Sequence, residues 1–139
     1  MWIAGKQGCI TQFITVYYPV YTGKGDNTVY TQQLRELTQD PMKRFWTDLG
    51  TEILNWKAAG EQIIISGDWN EKVTSINIQN WMGLFGLKEL ITSMHEGEPP
   101  PTFQKGKDAI DGIFRCTDFE PERAGYLGFG QTPGDHRAI

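Results

Sequence analysis

Cysteine and surplus positive charge are both scarce in this chain, and each scarcity removes a class of protein. The two cysteines, Cys9 and Cys116, lie too far apart to read as a disulfide framework or a zinc site. They favour a reduced, intracellular compartment. Thirteen Lys and Arg face seventeen Asp and Glu, for a net charge of −4. No global positive field therefore draws the chain to nucleic acid or acidic membranes. A phosphodiester substrate stays open, because a bound metal ion can supply positive charge locally. No apolar run approaches membrane-spanning length and the N-terminus lacks the apolar core of a signal peptide, so no membrane is expected. Repeats and low-complexity tracts are missing as well.

What remains is globular. At 139 residues, 39% of them hydrophobic and 22% charged, the chain is long enough for one domain with a real core and too short for two. Residues 11–18 read as a strand with apolar side chains on both faces, closed by Pro19. Residues 22–27 read as a polar loop, and Tyr30, Leu34 and Leu37 recur at helical spacing. Asp40-Pro41 is a helix start, an N-cap followed by proline at the first turn. Behind it Met42, Phe45, Trp46, Leu49, Ile53 and Trp56 form one apolar stripe, and Gly60 stops the helix. Ile63, Ile64 and Ile65 then make a strand over 62–66 with no polar face, so a parallel or mixed sheet is expected. Ser75 caps a further helix through Trp81 to about Phe85, which Leu87 to Leu90 are expected to continue past Gly86. Three prolines at 99–101 stiffen the approach to Thr102, and residues 104–108 have hairpin-turn composition. Residues 109–114 and 125–130 are read as two more strands.

Four polar features stand against this background. Gly67-Asp68-Trp69-Asn70 follows the buried strand, Tyr17 ends the first strand before a proline, Asp111 sits among apolar neighbours, and Asp135-His136 lie near the C-terminus. Each has a plain structural reading: a turn, an ordinary strand residue, a salt bridge, an incidental histidine. His95 keeps that plain reading. Taken together the others make chemical sense. A His oriented by a buried Asp can move a proton at a phosphate oxygen. Further carboxylates can hold magnesium with water and substrate phosphate, while an Asn and a Tyr hydrogen-bond the phosphoryl oxygens. The set is a metal-assisted phosphodiesterase kit.

The ordered series Val16-Tyr17-Tyr18-Pro19, Gly67-Asp68-Trp69-Asn70, Thr102, Ile110-Asp111-Gly112-Ile113-Phe114 and Gly134-Asp135-His136 resembles the endonuclease/exonuclease/phosphatase superfamily, the DNase-I-like fold. Within it the series is most similar to the apurinic-type endonuclease domains of non-LTR retrotransposons. The resemblance implies an α/β, or α+β, four-layer α/β/β/α sandwich and a metal-dependent DNA-nicking activity using Mg2+, with Mn2+ as the alternative. It implies that Asp68 activates the attacking water and also meets the metal, that Asn70 and Tyr17 hold the scissile phosphate, and that Asp111 orients His136. Asp135 is implied at or near the metal, and Thr102 as a phosphate contact or a support behind one. Lys105 and Lys107 are read as a solvated turn, with a nucleic-acid backbone as the alternative contact. The implied partners are a DNA substrate and, in a parent polyprotein, a reverse transcriptase domain. A eukaryotic retroelement would place the activity in the nucleus.

The chain departs from the pattern in three ways. Val20 stands where the tyrosine motif commonly ends in Asn, and Gly134 where Ser commonly precedes Asp135. The early Asn and the metal-binding Glu of the family's first half have no counterpart before Tyr17. Residues 1–139 are therefore expected to form the C-terminal portion of a single domain of about 250 residues, with the first half and the last strand missing. Two consequences are expected of the chain alone: an exposed apolar sheet face that promotes self-association, and weak or absent metal-dependent cleavage. Two other functions stay open. One is a phosphatase of another phosphoester on the same framework, for which no dense Lys/Arg cluster is found. The other is an inactive fragment or binding module.

Overall fold

The computed structural model describes residues 1–5, 8–21, 23, 28–119, 121–131 and 133–139. The expected 22–27 loop therefore falls mostly outside the described residues. These form β1 (Trp2–Ala4), β2 (Ile10–Tyr17), α1 (Val29–Glu36), α2 (Pro41–Ala58), β3 (Gln62–Asp68), α3 (Ile76–Leu84), β4 (Leu87–Glu89), α4 (Leu90–Met94) and β5 (Asp111–Cys116). The strands make one sheet in the order β1-β2-β3-β5-β4. β2 and β3 run parallel, with α1 and α2 as the crossover, and the other pairs are antiparallel. The chain is thus α/β with a five-stranded mixed sheet.

The helix caps form where their residues predict them. Asp40 accepts hydrogen bonds from the Met42 and Lys43 amides, Pro41 occupies the first turn, and Gly60 turns the chain out at φ +74°. The Ser75 hydroxyl accepts from the Ile78 amide at the start of α3. On the helical side of the sheet, Ile63, Ile65 and Phe114 are fully buried against Leu49 and Ile53 of α2 and Ile78 and Met82 of α3. The other stripe residues Phe45, Trp46 and Trp56 pack on this core. The opposite face is different: Phe13, Ile64 and Ile113 are only half-buried, and Thr15 and Tyr17 are exposed. Among the described residues no second layer lies over it.

Three expectations are corrected. Residues 87–89 leave the helix and form β4, because Gly86 adopts φ +65° and Leu87 and Glu89 gain buried backbone partners on β5. Residues 125–130 do not form a strand: the Leu127 amide reaches the Ala138 carbonyl, and the chain then turns at 129–130. β5 starts at Asp111 rather than at Ala109, because the Ala109 and Ile110 carbonyls accept from the Val73 and Trp69 amides in the preceding loop. That shift places Asp111 at the strand's first residue.

Candidate active site

Strand ends assemble the site. β2 and β3 run in the same direction, so Tyr17 and Asp68 finish side by side; β5 starts opposite, with Asp111 paired to Asp68. Residues in register project from the same face of a sheet. Tyr17, Asp68 and Asp111 therefore line one rim of the open face.

Close packing just behind the rim depends on two glycines paired across β3 and β5, Gly67 and Gly112. A Cβ at Gly67 would strike the Val16 carbonyl, and one at Gly112 would lie 2.8 Å from Val73 Cγ1. Val16 and Val73 fill the space they leave, and Trp69 is fully buried. Its indole N–H donates to the Gly112 carbonyl at 3.3 Å and its amide to the Ile110 carbonyl at 2.8 Å. One residue therefore brackets Asp111 on both sides.

Thr102 secures the same residue from its amide side. It is wholly buried, and its hydroxyl oxygen accepts from the Ile110 and Asp111 amides at 2.9 and 3.0 Å. This position suits a support behind Asp111 rather than direct contact with a phosphate. The Tyr126 hydroxyl donates to the Asp111 carbonyl at 2.9 Å. Burial, then the nearby Glu89 and Asp111 charges, hold its phenol well above the ordinary tyrosine range, so it remains a proton donor. Nothing in the sequence marks Tyr126, which lies in the stretch misread as a strand.

His136 reaches the rim because its backbone bridges Phe103 and its ring lies 5.0 Å from the Phe103 ring. Its Nδ1 is 2.8 Å from Asp111 Oδ2, with the Asp111 side chain only 12% exposed and that of His136 36%. Ligand-capable atoms of Asp68, Asp111 and His136 lie within 4.8 Å of one another. Asn70, at φ +48°, donates its amide to Asp68 Oδ1 and its side-chain Nδ2 to the Tyr18 carbonyl, both at 2.9 Å. Asn70 is thereby locked beside Asp68. Tyr17 is 49% exposed at the rim.

Asp135 stands apart. It is exposed and does not belong to the converging group. Lys105 and Lys107 are exposed on their turn, and the His95 ring meets the Ala124 carbonyl at 2.7 Å, away from the rim.

Asp68 and His136 both feel their charged neighbours at this point. Burial raises the Asp68 pKa and the Asp111 charge adds to this, against the Asn70 amide and His136, which lower it. For His136, burial favours the neutral ring, but the Asp111 hydrogen bond and the charges of Asp111, Asp68 and Asp135 outweigh it and raise the pKa. In both cases the folded chain holds the proton more tightly than the unfolded chain. The associated stability is fully present below the unfolded pKa, about 3.9 for Asp and about 6.5 for His, and is lost as pH rises through the raised folded values. Asp68→Asn should therefore melt at a higher temperature than wild type at pH 7, with the difference closing towards pH 4. The gain should stay below about 1 kcal/mol, since solvent screens a half-exposed carboxylate. Thermal melts across that range check it; a less stable Asp68→Asn at pH 7 would contradict it.

The donor set fits a hard divalent cation. Asp68 and Asp111 present two carboxylates close together, where burial and then the Asp111 charge raise the Asp68 pKa and a cation would relieve the repulsion. Among the described residues no helix is long and apolar enough to cross a membrane.

No family model matches the chain, and no curated protein does. Among solved structures it is similar to the human Nocturnin catalytic domain with bound sulfate anion, at 17% identity and a TM-score of 0.49 over 81% of this chain. It spans 37% of that chain's length.

Proposed function

We propose that this chain carries the hydrolytic residues of a metal-dependent phosphodiesterase, the DNA-nicking endonuclease module of a retroelement. The observation that carries this reading is the Asp111–His136 hydrogen bond of 2.8 Å with Asp68 in the same converging group. A buried carboxylate that orients an imidazole, beside a second carboxylate of raised pKa, separates an acid role from a base role.

In this mechanism Asp68 orients the attacking water and accepts its proton as the new P–O bond forms; the opposite P–O ester bond breaks, and the departing alkoxide takes a proton from solvent water. Asn70 Nδ2, through its second hydrogen, and the Tyr17 hydroxyl donate to the phosphoryl oxygens. Asp111 keeps His136 protonated at Nδ1, and the other ring nitrogen donates to a phosphoryl oxygen where negative charge collects. Thr102, Trp69 and Tyr126 hold Asp111 from behind. Magnesium or manganese held by Asp68 and Asp111 would supply Lewis-acid stabilisation of the phosphate. DNA as substrate, a neighbouring reverse transcriptase domain, and residues 1–139 as the C-terminal portion of one such domain belong to the same proposal. They rest on the ordered series of motifs.

The test is nicking of supercoiled plasmid by the chain with Mg2+, with Mn2+ and with chelator. Slow nicking is expected with either metal and none with chelator. Nicking that survives chelation would sink the metal-dependent reading.

A further inference from the structure

We propose that Arg137 is a positioning residue that sets the Asp111–His136 hydrogen bond, an inference that rests on reading this pair as hydrolytic. Asp111 has two backbone supports on different segments. The Thr102 hydroxyl accepts the Ile110 and Asp111 amides, and the Tyr126 hydroxyl donates to the Asp111 carbonyl. Arg137 grips the carbonyl adjoining each of them. Its Nε donates to the Pro101 carbonyl at 2.8 Å, one residue before Thr102, and its Nη1 to the Leu127 carbonyl at 3.1 Å, one residue after Tyr126. Its own amide donates to the Thr102 carbonyl at 2.8 Å. The Phe129 ring lies 4.1 Å beneath the guanidinium carbon.

One planar fork thus spans both supports of Asp111, while its own backbone is bonded directly to His136. The imidazole, the Thr102 hydroxyl and the Tyr126 phenol are referenced to a single rigid group. Charge-assisted bonds to two carbonyls are stronger than neutral ones, and the fork fixes their relative direction. A lysine keeps the charge over Phe129 but cannot hold two divergent carbonyls in fixed geometry. Substitution by lysine therefore separates the geometry from the charge.

The experiment is proton NMR of the full chain at low temperature and mildly acidic pH, without added metal. A ring N–H bonded to a carboxylate gives a downfield resonance, assigned by its loss in Asp111→Asn. Wild type and Arg44→Lys, a surface control in an exposed pair with Asp48, should both show it. In Arg137→Lys it should broaden beyond detection while far-UV circular dichroism stays that of wild type. Retention at wild-type intensity in folded Arg137→Lys and Arg137→Gln would overturn the proposal. If neither folds while Arg44→Lys does, Arg137 is structural and the proposal falls. A wild type with no resonance that Asp111→Asn removes would instead refute the hydrolytic pair itself, and with it this proposal.

Discussion

Trp69→Ala is expected to cost about 3–5 kcal/mol of folding stability, the usual range for removing a large buried aromatic. For a chain of this size the melting temperature should fall by roughly 10–20 °C. The cost has three parts. The fully buried indole stacks on Trp46 at 6.1 Å and meets the Phe114 ring edge-on at 5.2 Å, so a cavity opens between α2 and the sheet. The Gly112 carbonyl loses its indole donor. The edge-on contact with the Phe45 ring of α2, at 6.3 Å between centroids, is lost as well. Trp69→Phe should fall between the two, keeping most of the packing but not the N–H. Denaturant melts of both variants decide; a loss below about 1 kcal/mol in Trp69→Ala would show that the aromatic cluster does not hold the sheet's functional end.

Asp111→Asn is expected to reduce whatever metal-dependent nicking the chain shows by roughly 100-fold or more, as when the carboxylate that orients a catalytic imidazole is lost. The amide cannot hold the imidazolium at 2.8 Å as the carboxylate does, and it withdraws one of two candidate metal ligands. The fold should survive, because the supports from Thr102 and Tyr126 engage the backbone of residue 111 and not its side chain. Initial rates set against circular dichroism spectra separate chemistry from folding. A folded Asp111→Asn that nicks at the wild-type rate would remove His136 and Asp111 from the mechanism.

Local physics made much of the molecule legible in advance. The β-branched run Ile63 to Ile65, the Asp40-Pro41 cap, the Ser75 cap and the aromatic stripe of α2 express themselves within a few residues. The ordered polar motifs foretold which side chains would meet, and Asp68, Asp111 and His136 do converge. Features that depend on distant partners were hidden. β4 exists because β5 pairs with it, and the start of β5 was misplaced because the carbonyls of residues 109 and 110 are taken by a loop near residue 70. Tyr126 and Arg137 act through carbonyls far away in sequence, so no spacing rule marks them. Asp135, adjacent to His136, is implied at or near the metal by the resemblance; its carboxylate is exposed and outside the converging group, although its charge reaches His136.

The central claim is that Asp68 and Asp111 form a divalent-cation site against His136, and a Mn2+ titration of the isotopically labelled chain tests it most directly. Paramagnetic broadening should strike the amides of Asp68, Asn70 and Asp111 and the His136 ring first, leave Thr51 on the exposed face of α2 sharp, and disappear in Asp68→Asn. Broadening centred elsewhere, for example on Glu96 and Glu98, or unchanged in Asp68→Asn, would contradict it.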